Sequence, residues 1–158
     1  TVQEEVGCRG ARAAAHRINP DLALVVDTTY GEDPATSPKE TRLKIGGGPS
    51  VRALERSAAL VMGHITPRHV FDYIIDAADD EDIPHQMEVS TAGATDASTV
   101  HLAQAGIPTG TILIARRYSH SPIEVASMRD IEGAAELLTA VVDRIDGSWY
   151  EKIEVKLK

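Results

Sequence analysis

Leu22-Ala23-Leu24-Val25-Val26-Asp27 is a continuous apolar run closed by a carboxylate, and Thr109-Gly110-Thr111-Ile112-Leu113-Ile114-Ala115 is a second such run late in the chain. Both are too short for a helix and rich in β-branched residues, so they read as strands buried on both faces, as in a parallel sheet. Helical signals alternate with them. Gly10 to Ile18 is rich in Ala and Arg and stops at Asn19-Pro20, because proline disfavours helix in the residue before it. Thr66-Pro67 reads as a helix start with Thr66 as N-cap. That helix runs from Arg68 to about Asp80, with Val70, Ile74, Ile75 and Ala78 on one face. Asp96 to Ala105, closed by Gly106-Ile107-Pro108, is a third helix. Met128 to Ile145 is the longest, with Ile131, Ala134, Ala135, Leu138 and Val142 inward. Thr1 to Val6, a segment within Pro84 to Ser90, and Ile153 to Leu157 read as further strands. Thr28 to Thr41 reads as a loop, and Val51 to Met62 fits either a strand pair or a broken helix. The βαβα order predicts an α/β domain with a mostly parallel sheet and helices on both faces.

The 158 residues suffice for one domain with a real core. Aromatic residues make up only 4%, so that core must be built from Ala, Val, Ile and Leu. A net charge of −8, with no Lys/Arg run and few rings to stack on bases, argues against a nucleic-acid partner. No apolar stretch approaches a membrane span and no signal peptide is visible, so no membrane partner is expected. Cys8 is the single cysteine, which rules out an intrachain disulfide and fits a reducing, cytoplasmic setting. The chain lacks an initiator Met and opens directly on a strand-like motif, so it reads as a piece of a longer protein.

In parallel α/β sheets, ligands collect at the carboxyl ends of the strands. Glu4-Glu5, Asp27 and His120, the last within Arg117-Tyr118-Ser119-His120-Ser121-Pro122, all sit at the carboxyl end of an expected strand. Neighbouring side chains on a strand face opposite ways, so one glutamate of the pair can hold a metal while the other moves protons. The plainer alternatives are a solvated Glu pair, an Asp that caps a turn and a loop His bonded to backbone. His16, His64, His69, His85 and His101 follow no buried strand and read as surface or packing residues. Gly46-Gly47-Gly48-Pro49 lacks the Lys-Ser/Thr ending of a phosphate-binding loop and reads as a tight turn. Thr95-Asp96 reads as an N-cap, or else as part of a loop shaping the cleft. Cys8 has no His partner close by and does not read as a nucleophile.

Taken in order, TVQEEVG, VVDTT, KIGGGPS, AGATDAS and RYSHSPIEV resemble the cytosolic metallo-aminopeptidases of peptidase family M42, which include glutamyl, deblocking and tetrahedral aminopeptidases and some members labelled endoglucanase. The resemblance covers nearly the whole chain. It implies the zinc-peptidase type of three-layer domain, here incomplete, and hydrolysis of N-terminal residues from peptide substrates by a water activated by two divalent ions, zinc or cobalt. Glu4 matches the family's general base, Glu5 and His120 match ligands of one ion, and Asp27 matches a ligand of the other. The family's bridging Asp, a further His and an inserted dimerisation domain all lie upstream of the position matched by Thr1. The expectation is therefore that residues 1–158 form the C-terminal part of a catalytic domain, inactive and weak in metal binding alone. The intact protein would be a homo-oligomer, from dimer to dodecamer. Ala94 stands where a Gly is common, which touches only that loop's backbone. Two other readings remain: a non-catalytic assembly fragment, and a glycoside hydrolase with two carboxylates and no metal.

Overall fold

The computed structural model describes residues 1–35, 43–59 and 61–146. The apolar run at Leu22 becomes strand β1 (Ala23–Tyr30), and the late run becomes β6 (Thr109–Arg117). The two lie side by side in parallel over eight residue pairs, from Ala23 opposite Thr109 to Tyr30 opposite Arg116. Ser50–Ser57 (β2) and Met62–Ile65 (β3) form an antiparallel pair, which resolves the open reading of this region as two strands. Gln86–Ser90 (β4) pairs in parallel with β2, and the short strands Ala92–Gly93 (β5) and Val125–Ala126 (β7) add antiparallel pairings. Among the described residues the sheet has seven strands with a β1-β6-β2-β3 path, and its two longest ladders are the parallel ones.

Helices cover both faces. Arg68–Asp80 (α2) and Met128–Asp143 (α4) pack on the side that carries Val51, Ile112 and Leu24. Arg9–Ile18 (α1) and the short Ala97–Val100 (α3) pack on the other, against Ala23. Ala23 and Leu24 are neighbours on one strand and so face opposite ways, which separates the two helical layers. Asn19 ends α1 in the left-handed region, and its N–H returns to the Ala15 carbonyl.

Several sequence expectations change. Thr1 to Val6 is not a strand: Glu4–Val6 form a single 3₁₀ turn, with Gln3, Gly7 and Cys8 at positive φ around it. The N–H groups of Gly7 and Cys8 both donate to the Glu4 carbonyl, so the segment satisfies its backbone locally rather than through a ladder. β1 is half-buried rather than buried on both faces, because it has β6 on one side and no strand on the other among the described residues; Val26 is 47% exposed. It also runs three residues past Asp27, into the stretch read as a loop. Thr66 does not cap α2: its hydroxyl donates to the Arg52 carbonyl, and Pro67 occupies the N-cap position. The helix expected from Asp96 to Ala105 is only one turn.

α4 is rotated from the expected phase. Asp130, Gly133, Ala134, Leu137 and Val141 are buried, while Ile131 and Val142 are 40% and 51% exposed. The sequence supports two adjacent apolar faces, and a buried charge selects between them. Asp130 is fully buried, and its carboxylate accepts the N–H groups of Gly46 (2.7 Å) and Gly48 (2.8 Å). The Gly46-Gly47-Gly48 run is therefore a tight turn clasped to α4. Gly48 has φ +89°, and a Cβ there would lie 1.9 Å from the Pro84 carbonyl oxygen, so only glycine fits. The strand expected at Ile153 to Leu157 lies outside the described residues, as does most of the Thr28 to Thr41 segment beyond Ala35.

Candidate metal-binding cleft

A cleft opens where β1 and β6 run out. Its lining includes Glu4, Glu5, Asp27 and His120 together with Tyr30, Arg116 and Thr95. The structure thus brings all four sequence-selected residues to one place, although they arrive from three separate segments. Glu4 and Glu5 come from the N-terminal turn, Asp27 from within β1, and His120 from the loop after β6.

Each is held differently. Glu5 is exposed, and its Oε1 lies 3.5 Å from His120 Nδ1. His120 sits at φ 60°, two residues after Tyr118 at φ 61°, so the loop doubles back through the left-handed region to present the imidazole. Glu124 fixes that turn: it accepts the His120 backbone N–H at 2.6 Å and also pairs with Arg116. That bond to Arg116, with the His120 N–H, holds the Glu124 carboxyl below its ordinary range. Asp27 accepts the Thr28 N–H at 2.7 Å.

Glu4 is half-buried, and its carboxyl is pushed upward, first by burial and then by the charges of Asp27 and Glu5. Cys8 lies beneath it; the thiol donates toward Glu4 Oε1 (3.6 Å) and the Thr95 carbonyl (3.4 Å). Burial, with Glu4 and Asp96 nearby, pushes that thiol up to about 12, so it stays protonated at neutral pH and is no nucleophile. Glu4, Cys8 and Asp96 bring possible ligand atoms within 4.8 Å of one another. Cys8 donates toward Glu4, and Asp96 beside it accepts the Thr1 hydroxyl at 2.8 Å, so these two residues support Glu4 from below.

The floor of the cleft holds residues that the sequence reading passed over. Arg52 is almost fully buried and lines the cleft. It donates to Glu55 Oε2 (3.0 Å), Glu88 Oε2 (3.0 Å) and Thr29 Oγ1 (2.7 Å). Thr29 in turn donates to Glu88 Oε1 at 2.7 Å. Glu55 Oε1 accepts the Thr95 N–H (3.0 Å) and the Ser98 hydroxyl (2.7 Å). This network ties β1, β2, β4 and the Thr95 loop together beneath the metal-ligand candidates. The sequence signal is a pair of opposite charges three residues apart, Arg52 and Glu55, in a strand that also carries Arg56 and two serines, and its partners lie too far along the chain to be read from it.

A layered α/β domain with an acidic, imidazole-bearing cleft at the end of its parallel strand pair is the class that fold and site define. Within that class, the chain belongs to the M42 glutamyl aminopeptidase family, whose family model matches residues 1–137. A relative from Acetivibrio thermocellus, which carries a provisional aminopeptidase name, is 44% identical over 143 residues, 90% of this chain and 41% of its own length. The solved structure of aminopeptidase APDkam598 from the archaeon Desulfurococcus kamchatkensis superposes with a TM-score of 0.92 at 37% identity, covering 100% of this chain and 44% of that one. The TET1 peptidase of Pyrococcus horikoshii, described as assembling into a tetrahedron or a large octahedral shell, matches with a TM-score of 0.69 at 28% identity, over 89% of this chain and 38% of its own. The chain therefore spans about two fifths of the length of these relatives. Among the described residues, no helix is long and apolar enough to cross a membrane.

Proposed function

We propose that these residues form part of the active site of a metal-dependent aminopeptidase that removes N-terminal residues from peptides in the cytoplasm. The observation that carries this reading is the convergence of Glu4, Glu5, Asp27 and His120 on one cleft. The donor set fits divalent ions. Carboxylate and imidazole oxygens and nitrogens suit zinc or cobalt equally. The 3.5 Å between Glu5 Oε1 and His120 Nδ1 is close to the spacing of two ligands on one ion. Like charges at Glu4, Glu5 and Asp27 crowd the cleft, and cations would relieve that repulsion.

Glu5 and His120 are assigned to one ion and Asp27 to a second. Two bound ions would supply Lewis acidity for the scissile carbonyl and lower the pKa of the attacking water. Glu4 would act as general base, taking a proton from the attacking water and returning it to the departing amine. Glu124 holds the His120 turn, and the Arg52 network fixes the wall that carries Asp27. Three ligands are too few for two ions, so residues outside 1–158 complete the set, and this stretch is the C-terminal part of the catalytic domain. The intact protein is a homo-oligomer, as the shell-forming relative suggests.

The test is hydrolysis of peptide substrates by the intact protein before and after chelation. Activity should disappear with the metal and return when zinc or cobalt is restored. Turnover that survives complete chelation would overturn the reading, and if it acted on glycosides it would favour a metal-free carboxylate mechanism.

A further inference from the structure

A second groove, of about 590 Å³, runs along β3 and the end of α3 and shares no lining residue with the cleft. Leu54, Met62 and Ile65 give it an apolar wall, and two imidazoles, His64 and His101, face each other there with ring centroids 4.9 Å apart and planes inclined by 47°. His64 is only 3% exposed, yet its Nε2 is buried with no hydrogen-bond partner. Buried polar atoms are nearly always hydrogen-bonded, so an unpaired nitrogen at this depth calls for an explanation.

His101 supplies one. Its Nδ1 lies 2.7 Å from the Ala97 carbonyl oxygen. A carbonyl only accepts, so Nδ1 carries a proton, and in the neutral ring Nε2 is the nitrogen with the lone pair. A backbone carbonyl behind one ring nitrogen is the usual support of a metal-bound histidine. The spacing agrees. With about 2.0–2.1 Å from ion to nitrogen and about 1.1 Å more to each ring centre, two imidazoles on one tetrahedral ion have centroids roughly 5 Å apart.

We infer that His64 and His101 form a two-imidazole site for a divalent first-row cation of the zinc type, with groove water filling its remaining positions. Burial and the neighbouring imidazole lower His64 to about 4, so that ring offers a neutral nitrogen at neutral pH. The negative charge of Glu55 lies close enough to act on His64 and favours a cation there. Its oxygens are already held by Arg52, Thr95 and Ser98, so Glu55 acts through its field and not as a ligand. A pair held by packing alone would gain nothing from the orphaned nitrogen.

The test uses Zn²⁺ alone as probe, on the intact protein carrying Glu5→Ala so that the cleft does not dominate binding. Carbethoxylation of His101, mapped to its peptide by mass spectrometry, reports access to Nε2. Zn²⁺ should slow that modification at least fivefold, and His64→Phe, which keeps the ring volume, should abolish the protection. His101→Phe, at a half-buried position, should weaken Zn²⁺ binding tenfold or more in calorimetry. Modification of His101 that ignores Zn²⁺, or protection that persists in His64→Phe, would overturn the assignment.

Discussion

Arg52 is the residue on which the cleft floor depends. It pairs with both Glu55 and Glu88, and all three side chains are nearly or fully removed from water. Truncating Arg52 to Ala would leave two buried carboxylates uncompensated, so we expect a loss of about 3–5 kcal/mol in denaturant unfolding. Glu4 lies at the other extreme. It bonds to little besides Cys8, so Glu4→Gln should leave stability and metal content nearly unchanged while lowering kcat by roughly 10²–10⁴, as expected for a lost general base. His64 carries a pH signature. The unfolded chain protonates this imidazole below about pH 6.5, but the folded protein does so only near 4. Stability is therefore full above pH 6.5 and declines as pH falls toward 4, by about 2 kcal/mol. In metal-free buffer His64→Phe should flatten that decline; an unchanged pH profile would place the acid sensitivity elsewhere. Burial and the neighbouring His101 enlarge the effect, and the negative charge of Glu55 opposes it.

At the scale of elements, the sequence was legible wherever the signal is local. Both apolar runs become parallel strands, Asn19 stops α1, and α2 spans Arg68–Asp80 as its periodicity predicts. It was illegible where distant contacts decide. Glu4-Glu5 look like a strand end, yet among the described residues no strand pairs with them and the chain closes a 3₁₀ turn. α4 offers two apolar faces, and only the Asp130 clasp on the Gly46–Gly48 turn chooses between them. That choice is measurable. Leu137→Ala should cost about 2–4 kcal/mol, because Leu137 is fully buried, whereas Ile131→Ala should cost under about 1 kcal/mol. The reverse order would restore the phase expected from the sequence. The site residues follow the same rule. Glu4, Glu5, Asp27 and His120 stand out through their own segments, while Arg52, Glu88 and Glu124 act through partners met only in the fold.

For the molecule as a whole, the family assignment rests on a match across most of the chain, and the chain spans about two fifths of its relatives. β1 is half-buried and open along one side among the described residues. On this view residues 1–158 alone bind metal weakly and do not turn over peptides, because the cleft presents three ligands for two ions. The central claim is that Glu5, His120 and Asp27 hold those ions in the intact protein. Elemental analysis of the intact protein, beside its Glu5→Ala and Asp27→Ala variants, tests it most directly. We predict two divalent ions per subunit in the parent and fewer in each variant, with folding retained. Two ions still bound in both variants would contradict the account.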